Sequence, residues 1–163
     1  MHYQYPNPQG KLIRVITGRI QDVAVDLRAG SPTYGKHITA FLDDVTCQAL
    51  WVPPGFAHGF MSFAQGAIVQ YECSTYYEDA YAKDLLWNDP DLIITWGLKM
   101  GQAPVVSQKD RKATLFRDTQ PLEMHNENFA VRDNRESGSR AFDVISEQQP
   151  QSASPKSGRL RLS

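Results

Sequence analysis

Trp51-Val52-Pro53-Pro54-Gly55-Phe56-Ala57-His58-Gly59-Phe60 is the stretch on which the fold of this chain turns. Its prolines and Gly55 cannot continue a helix or a central strand, so they mark a sharp corner between the run Gln48 to Val52 and the run Phe60 to Phe63. His58 is placed at that corner. With Ala57 and Gly59 beside it and Phe56 and Phe60 outside them, its imidazole is expected to be held by packing and approached closely by backbone or ligand. On local grounds the plainer reading, a histidine satisfied within the core, comes first. Its wider company changes that.

Working outward, the flanking segments read as short strands. Lys11-Leu-Ile-Arg-Val-Ile-Thr17 is β-branched and ends at Gly18, and a second run follows from Arg19 to Leu27, the pattern of a hairpin. Period-two alternation puts Lys11, Ile13 and Val15 on one face, so a lysine is level with apolar neighbours. Val23, Val25 and Leu27 alternate with Asp22, Ala24 and Asp26, which implies one buried face, with the two aspartates turned to water or to a neighbouring turn. Arg28 to Gly35 is a loop leading into a strand from Lys36 to Leu42. In the strand Ala67 to Ser74, Val69, Tyr71 and Cys73 share a face, so Tyr71 points with the apolar set. A turn at Trp87-Asn-Asp-Pro90 precedes a run Leu92 to Trp96, and a short helix is expected within Gln108 to Phe116. Short strands with turn signals between them argue for an all-β antiparallel sandwich or barrel.

The bulk numbers narrow the class. A chain of 163 residues is long enough for one cored domain and short for two. A formal charge of -1 gives no reason to expect a nucleic acid or a membrane surface as partner, and no apolar run approaches the length of a membrane span. Cys47 and Cys73 lack metal-ligand spacing and read as reduced core thiols of a cytoplasmic protein. From Arg117 to Ser163 the composition turns to Gln, Ser, Asn, Arg and Pro. Such a segment buries too little apolar surface to offset its ordering entropy, so the domain is drawn as 1–116 and 117–163 as a polar, disordered tail.

The segments together resemble a known family. Lys11 to Arg28, Gly30-Ser-Pro-Thr-Tyr-Gly35, Trp51 to Phe60 and Leu86-Trp-Asn-Asp-Pro90, in that order, are similar to the dTDP-4-dehydrorhamnose 3,5-epimerases, and the resemblance covers about residues 2 to 116. It implies a cupin-like jelly roll of two antiparallel sheets, a homodimer, and inversion of C3 and then C5 of a dTDP-linked 4-keto-6-deoxy sugar with no metal and no redox cofactor. Both carbons adjoin the C4 ketone, so the reaction needs a base, a stabiliser of the enolate oxygen and an acid on the opposite face.

By resemblance the base is His2, in His2-Tyr3-Gln4, and its carboxylate partner is Asp110, in Ser107-Gln-Lys-Asp110. Lys11 corresponds to the lysine facing the C4 oxygen, and Tyr71 to the proton donor. His58 corresponds to a pocket-lining histidine, Tyr77 to an aromatic at the nucleotide, and Lys109 to a pyrophosphate contact. The resemblance also implies a segment of strands ahead of the histidine motif, with an Arg three residues upstream of the base, whereas Met1 stands directly before His2. Without those strands the sheet is expected to expose an edge, and a base at a chain end is expected to be poorly fixed. Ala82 stands where the family usually has an acidic residue.

Two other functions compete with the epimerase. A catalytically inactive or binding-only cupin relative would fit the missing strands. A metal-dependent cupin oxygenase needs a cluster of histidines and a carboxylate that His2-Tyr3-Gln4 and His58 do not supply.

Overall fold

The structure is a computed structural model, and it describes residues 1–63, 66–98, 101 and 103–124. Eight strands carry the fold: β1 (His2–Gln4), β2 (Lys11–Thr17), β3 (Arg19–Asp26), β4 (His37–Asp43), β5 (Ala49–Val52), β6 (Phe56–Ser62), β7 (Ile68–Cys73) and β8 (Ala82–Asp84). The only α-helix among the described residues is α1 (Gln108–Arg111), and one-turn 3₁₀ segments occur at Asp79–Tyr81 and Phe116–Asp118. The strands form a five-stranded sheet in the order β4-β3-β6-β1-β8 and a three-stranded sheet in the order β5-β2-β7. Every pairing between these strands is antiparallel, so the all-β, two-sheet jelly-roll expectation describes this architecture. Among the described residues no helix is long and apolar enough to cross a membrane.

Two apolar layers position everything else. Ile13, Val15 and Val52 of the small sheet pack with Ile20, Ala24, Leu42 and Phe60 of the large one, so the two sheets meet face to face. Behind the large sheet, Val23, Val25 and Leu27 pack with Met1, Tyr3, Leu85, Leu92 and Leu122. β3 is therefore buried on both faces. The side expected to face water carries Asp22 and Asp26, and both are buried. Each has partners there: Asp22 meets His58, and Asp26 accepts from Arg28, Ser31 and Thr33 in the loop that follows. For Asp26 the neighbouring turn was the right expectation.

Other local expectations are corrected. β2 and β3 do not form a hairpin, because the chain changes sheets at Gly18, where φ is +88° and a Cβ would lie 2.6 Å from the Gly66 carbonyl oxygen. The corner itself is confined to Pro53–Gly55, with φ at Gly55 of +89°, and His58 lies within β6 rather than at the turn. Leu92 to Trp96 forms no strand. Cys47 and Cys73 are free thiols as expected, yet both are exposed rather than in the core.

The boundary drawn at 116 falls short of the packed body. Thr119 is buried, and Leu122, 3 % exposed, donates its backbone N–H to Leu27 and accepts from Ala29. The part of the expected tail from 125 to 163 lies outside the described residues.

Candidate active site

Strand register assembles the site. Opposite residues of an antiparallel pair share a face, and Ala24 pairs with His58, His58 with His2, and His2 with Asp84. Because Ala24 belongs to the layer between the sheets, this row of four side chains lines the inner face of the large sheet. On the opposing sheet Lys11 pairs with Cys73 and Ile13 with Tyr71, and Ile13 is a fully buried member of the same layer. Lys11, Tyr71 and Cys73 thus face inward as the alternation predicts. Tyr71 stays 46 % exposed on β7.

His2 is held more firmly than a chain end suggests, since β1 lies between β6 and β8. Its Nδ1–H donates to Asp84 Oδ1 at 2.6 Å. Its Nε2 stands 3.0 Å from Asp110 Oδ1, so the expected histidine–carboxylate pair is in place, although neither of those atoms has a well-directed hydrogen bond. Asp110 is fixed by its local sequence. Ser107 caps α1 by accepting from the Asp110 backbone N–H at 3.1 Å, and the Ser107 hydroxyl donates to the Asp110 carboxylate. Burial pushes the His2 imidazole below its ordinary pKa and the N-terminal amine adds to this, while Asp84 and Asp110 work the other way.

His58 Nε2–H is shared between both oxygens of Asp22, at 3.0 and 2.9 Å, in a buried pair beside His2. Lys11 has no carboxylate within ion-pair distance among the described residues. Burial lowers its pKa, with Cys73 and Asp22 acting in the opposite direction. A cation turned inward and left without a partner is available to a ligand oxygen. Lys109 Nζ reaches Asp84 Oδ1 at 3.3 Å and so joins the edge of the His2 cluster. Tyr77 does not join it: the ring is exposed, and its hydroxyl donates to Asp79 at 2.9 Å.

Asp84 and Asp22 are the members that sequence reasoning missed. The alternation in β3 is visible in the sequence but does not say what Asp22 meets across the sheet, and the register His2 to Asp84 joins residues that no local pattern connects. Among the described residues no group of three or more His, Cys, Asp or Glu is arranged to hold a metal ion.

The profile of the family described as dTDP-4-dehydrorhamnose 3,5-epimerase matches residues 1–118. The chain belongs to the dTDP-4-dehydrorhamnose 3,5-epimerase family. It is 48 % identical over 110 residues to the epimerase of Neisseria gonorrhoeae, covering 68 % of this chain and 33 % of that protein. With the Methanothermobacter thermautotrophicus epimerase it shares 45 % over 118 residues, covering 72 % of this chain and 64 % of the relative. The chain therefore spans between a third and two-thirds of the length of these relatives. Among solved structures, the Legionella pneumophila 3,5-epimerase in complex with dTDP-4-keto-L-rhamnose superposes with a TM-score of 0.68 at 40 % identity, covering 71 % of this chain and 61 % of that one. The Elizabethkingia anophelis enzyme gives a TM-score of 0.70 at 36 % identity, covering 73 % and 65 %.

Proposed function

We propose that this chain is a dTDP-4-dehydrorhamnose 3,5-epimerase, acting at C3 and C5 of dTDP-4-dehydro-6-deoxyglucose in dTDP-L-rhamnose biosynthesis. The observation that carries this reading is the pairing of faces: a carboxylate-flanked His2 on one sheet, and on the other an inward Lys11 without a carboxylate partner next to Tyr71. His2 removes the proton from C3 and then from C5. Lys11 holds the C4 oxygen as it becomes an enolate, and Tyr71 returns a proton to the other face. Each inversion leaves one proton more on the base and one fewer on the tyrosine, so both must exchange with solvent before the next.

In this reading Asp110 orients His2, and His58 with Asp22 lines the pocket. Lys109 and Tyr77 serve the diphosphate and the nucleotide, and the substrate is the nucleotide sugar alone. A homodimer in the cytoplasm is the corresponding assembly. The outer face of the small sheet supports it, because Trp51 lies there exposed to solvent.

Variants test the roles. Tyr71→Phe and Lys11→Ala should each reduce deuterium incorporation at substrate C3 in D2O by at least about 10²-fold, the scale of a lost acid or oxyanion donor. Unchanged incorporation in both would remove these residues from the mechanism.

A further inference from the structure

The imidazole of His2 meets a carboxylate at each ring nitrogen, yet a neutral imidazole carries a single N–H. The well-formed bond runs from Nδ1 to Asp84. At the other nitrogen, Nε2 and Asp110 Oδ1 are both buried without a hydrogen-bond partner among the described residues, although they stand 3.0 Å apart. Buried orphans of this kind are rare in native proteins and ask for an explanation. With the proton on Nε2 and the ring turned toward Asp110, Nε2 would donate to Asp110 and the lone pair would sit on Nδ1. Asp84 stands in the way of that shift, because a lone pair on Nδ1 would face its carboxylate at 2.6 Å.

The two carboxylates are not held equally. Asp110 is 3 % exposed and tied to Ser107. Asp84 is 19 % exposed, on the three-residue edge strand β8, and its other partner is the ammonium of Lys109, itself 55 % exposed. A base also needs one nitrogen that substrate can reach. Nε2 is sealed against Asp110, which leaves Nδ1.

We propose that Asp84 is a displaceable internal ligand of the base. It caps Nδ1 of His2 in the free protein, holds the unproductive tautomer, and withdraws when an anionic diphosphate draws Lys109 away from it. This deepens the sugar-nucleotide reading above and rests on it. Withdrawal lets the imidazole proton settle on Nε2 against Asp110 and turns a free Nδ1 lone pair toward the substrate. Asp84 is then a positioning residue rather than a catalytic one.

The other charged and titratable groups facing His2 are Asp110 from α1, the Met1 amine, and His58 with Asp22 from β6 and β3; Lys11 faces inward from the opposing sheet. Removing the Asp84 carboxylate leaves all of these in place and takes away one anion that favours the imidazolium. The acid limb of kcat/KM should therefore move down by about one pH unit. That corresponds to about tenfold higher kcat/KM on the acid side.

The test is the imidazole ¹⁵N spectrum of the full chain, with His2 assigned by its loss in His2→Asn, read together with the pH profile. Free wild type should carry its proton on Nδ1. Saturation with dTDP should move it to Nε2, and Asp84→Ala and Asp84→Asn should show the Nε2 form without ligand. Asp84→Asn carries the test alone if the alanine variant does not fold. A tautomer that neither dTDP nor the substitutions change overturns the proposal, as does a fall in kcat/KM at every pH without movement of the acid limb. If wild type turns over no sugar nucleotide at any pH, the epimerase reading fails, and the ligand-free spectra still decide whether Asp84 sets the tautomer.

Discussion

Lys11 shows how a single residue divides stability from function. Burial disfavours its charged form, so at neutral pH the folded protein bears a desolvation cost that the unfolded chain does not. Its folded pKa is lowered, so that cost is present at neutral pH and relieved only as pH rises through the folded value. Lys11→Met should therefore stabilise the protein, by about 1 kcal/mol in urea denaturation, while abolishing turnover. A destabilised Lys11→Met protein would mean that the ammonium has a native partner. The position of Lys11 was legible in the sequence because period-two alternation needs only neighbours within one strand. The same parity placed Tyr71. The contact of Asp84 with His2 was not legible, because it spans 82 positions and depends on the register of a three-residue edge strand.

At the scale of elements, β2 and β3 illustrate what local pattern leaves undecided. A glycine between two β-branched runs suits a hairpin or a change of sheet equally well, and tertiary pairing decides. Here β2 binds β5 and β7 and leaves β3 to β4 and β6. Gly18→Val should cost about 1–3 kcal/mol, since it meets both a positive φ and the Gly66 carbonyl, and the shift in urea midpoint reads it.

The loop after β3 is secured differently. Burial pushes the Asp26 carboxyl up, but bonds from Arg28, Ser31 and Thr33 outweigh it and hold the group well below the usual carboxylate range. A depressed folded pKa contributes stability that is complete above the unfolded value near 4 and is lost as pH falls below it. Asp26→Asn should be less stable than wild type by roughly 2–4 kcal/mol at pH 7, with the gap narrowing below about pH 4 in thermal melts. A gap independent of pH would assign the effect to shape rather than charge.

For the whole molecule, the all-β antiparallel class was legible from strand spacing and turn residues, whereas the two-sheet jelly roll followed from the family resemblance. The boundary was not, because Leu122 is one apolar residue in a polar context and its value lies in the partners it finds behind β3. A chain ending at Phe116 should melt several degrees lower than one ending at Met124. Equal midpoints for the two would show that the 117–124 segment adds nothing to the fold.

Proton traffic at the sugar is the most direct test of the central claim. The protein is incubated with dTDP-4-dehydro-6-deoxyglucose in D2O, and the C3 and C5 protons are followed by NMR. Both signals should be lost, C3 before C5, with inverted configuration at each carbon. Folded protein that binds the nucleotide sugar yet leaves both protons in place would contradict it, and would mark the chain as a binding relative of the family.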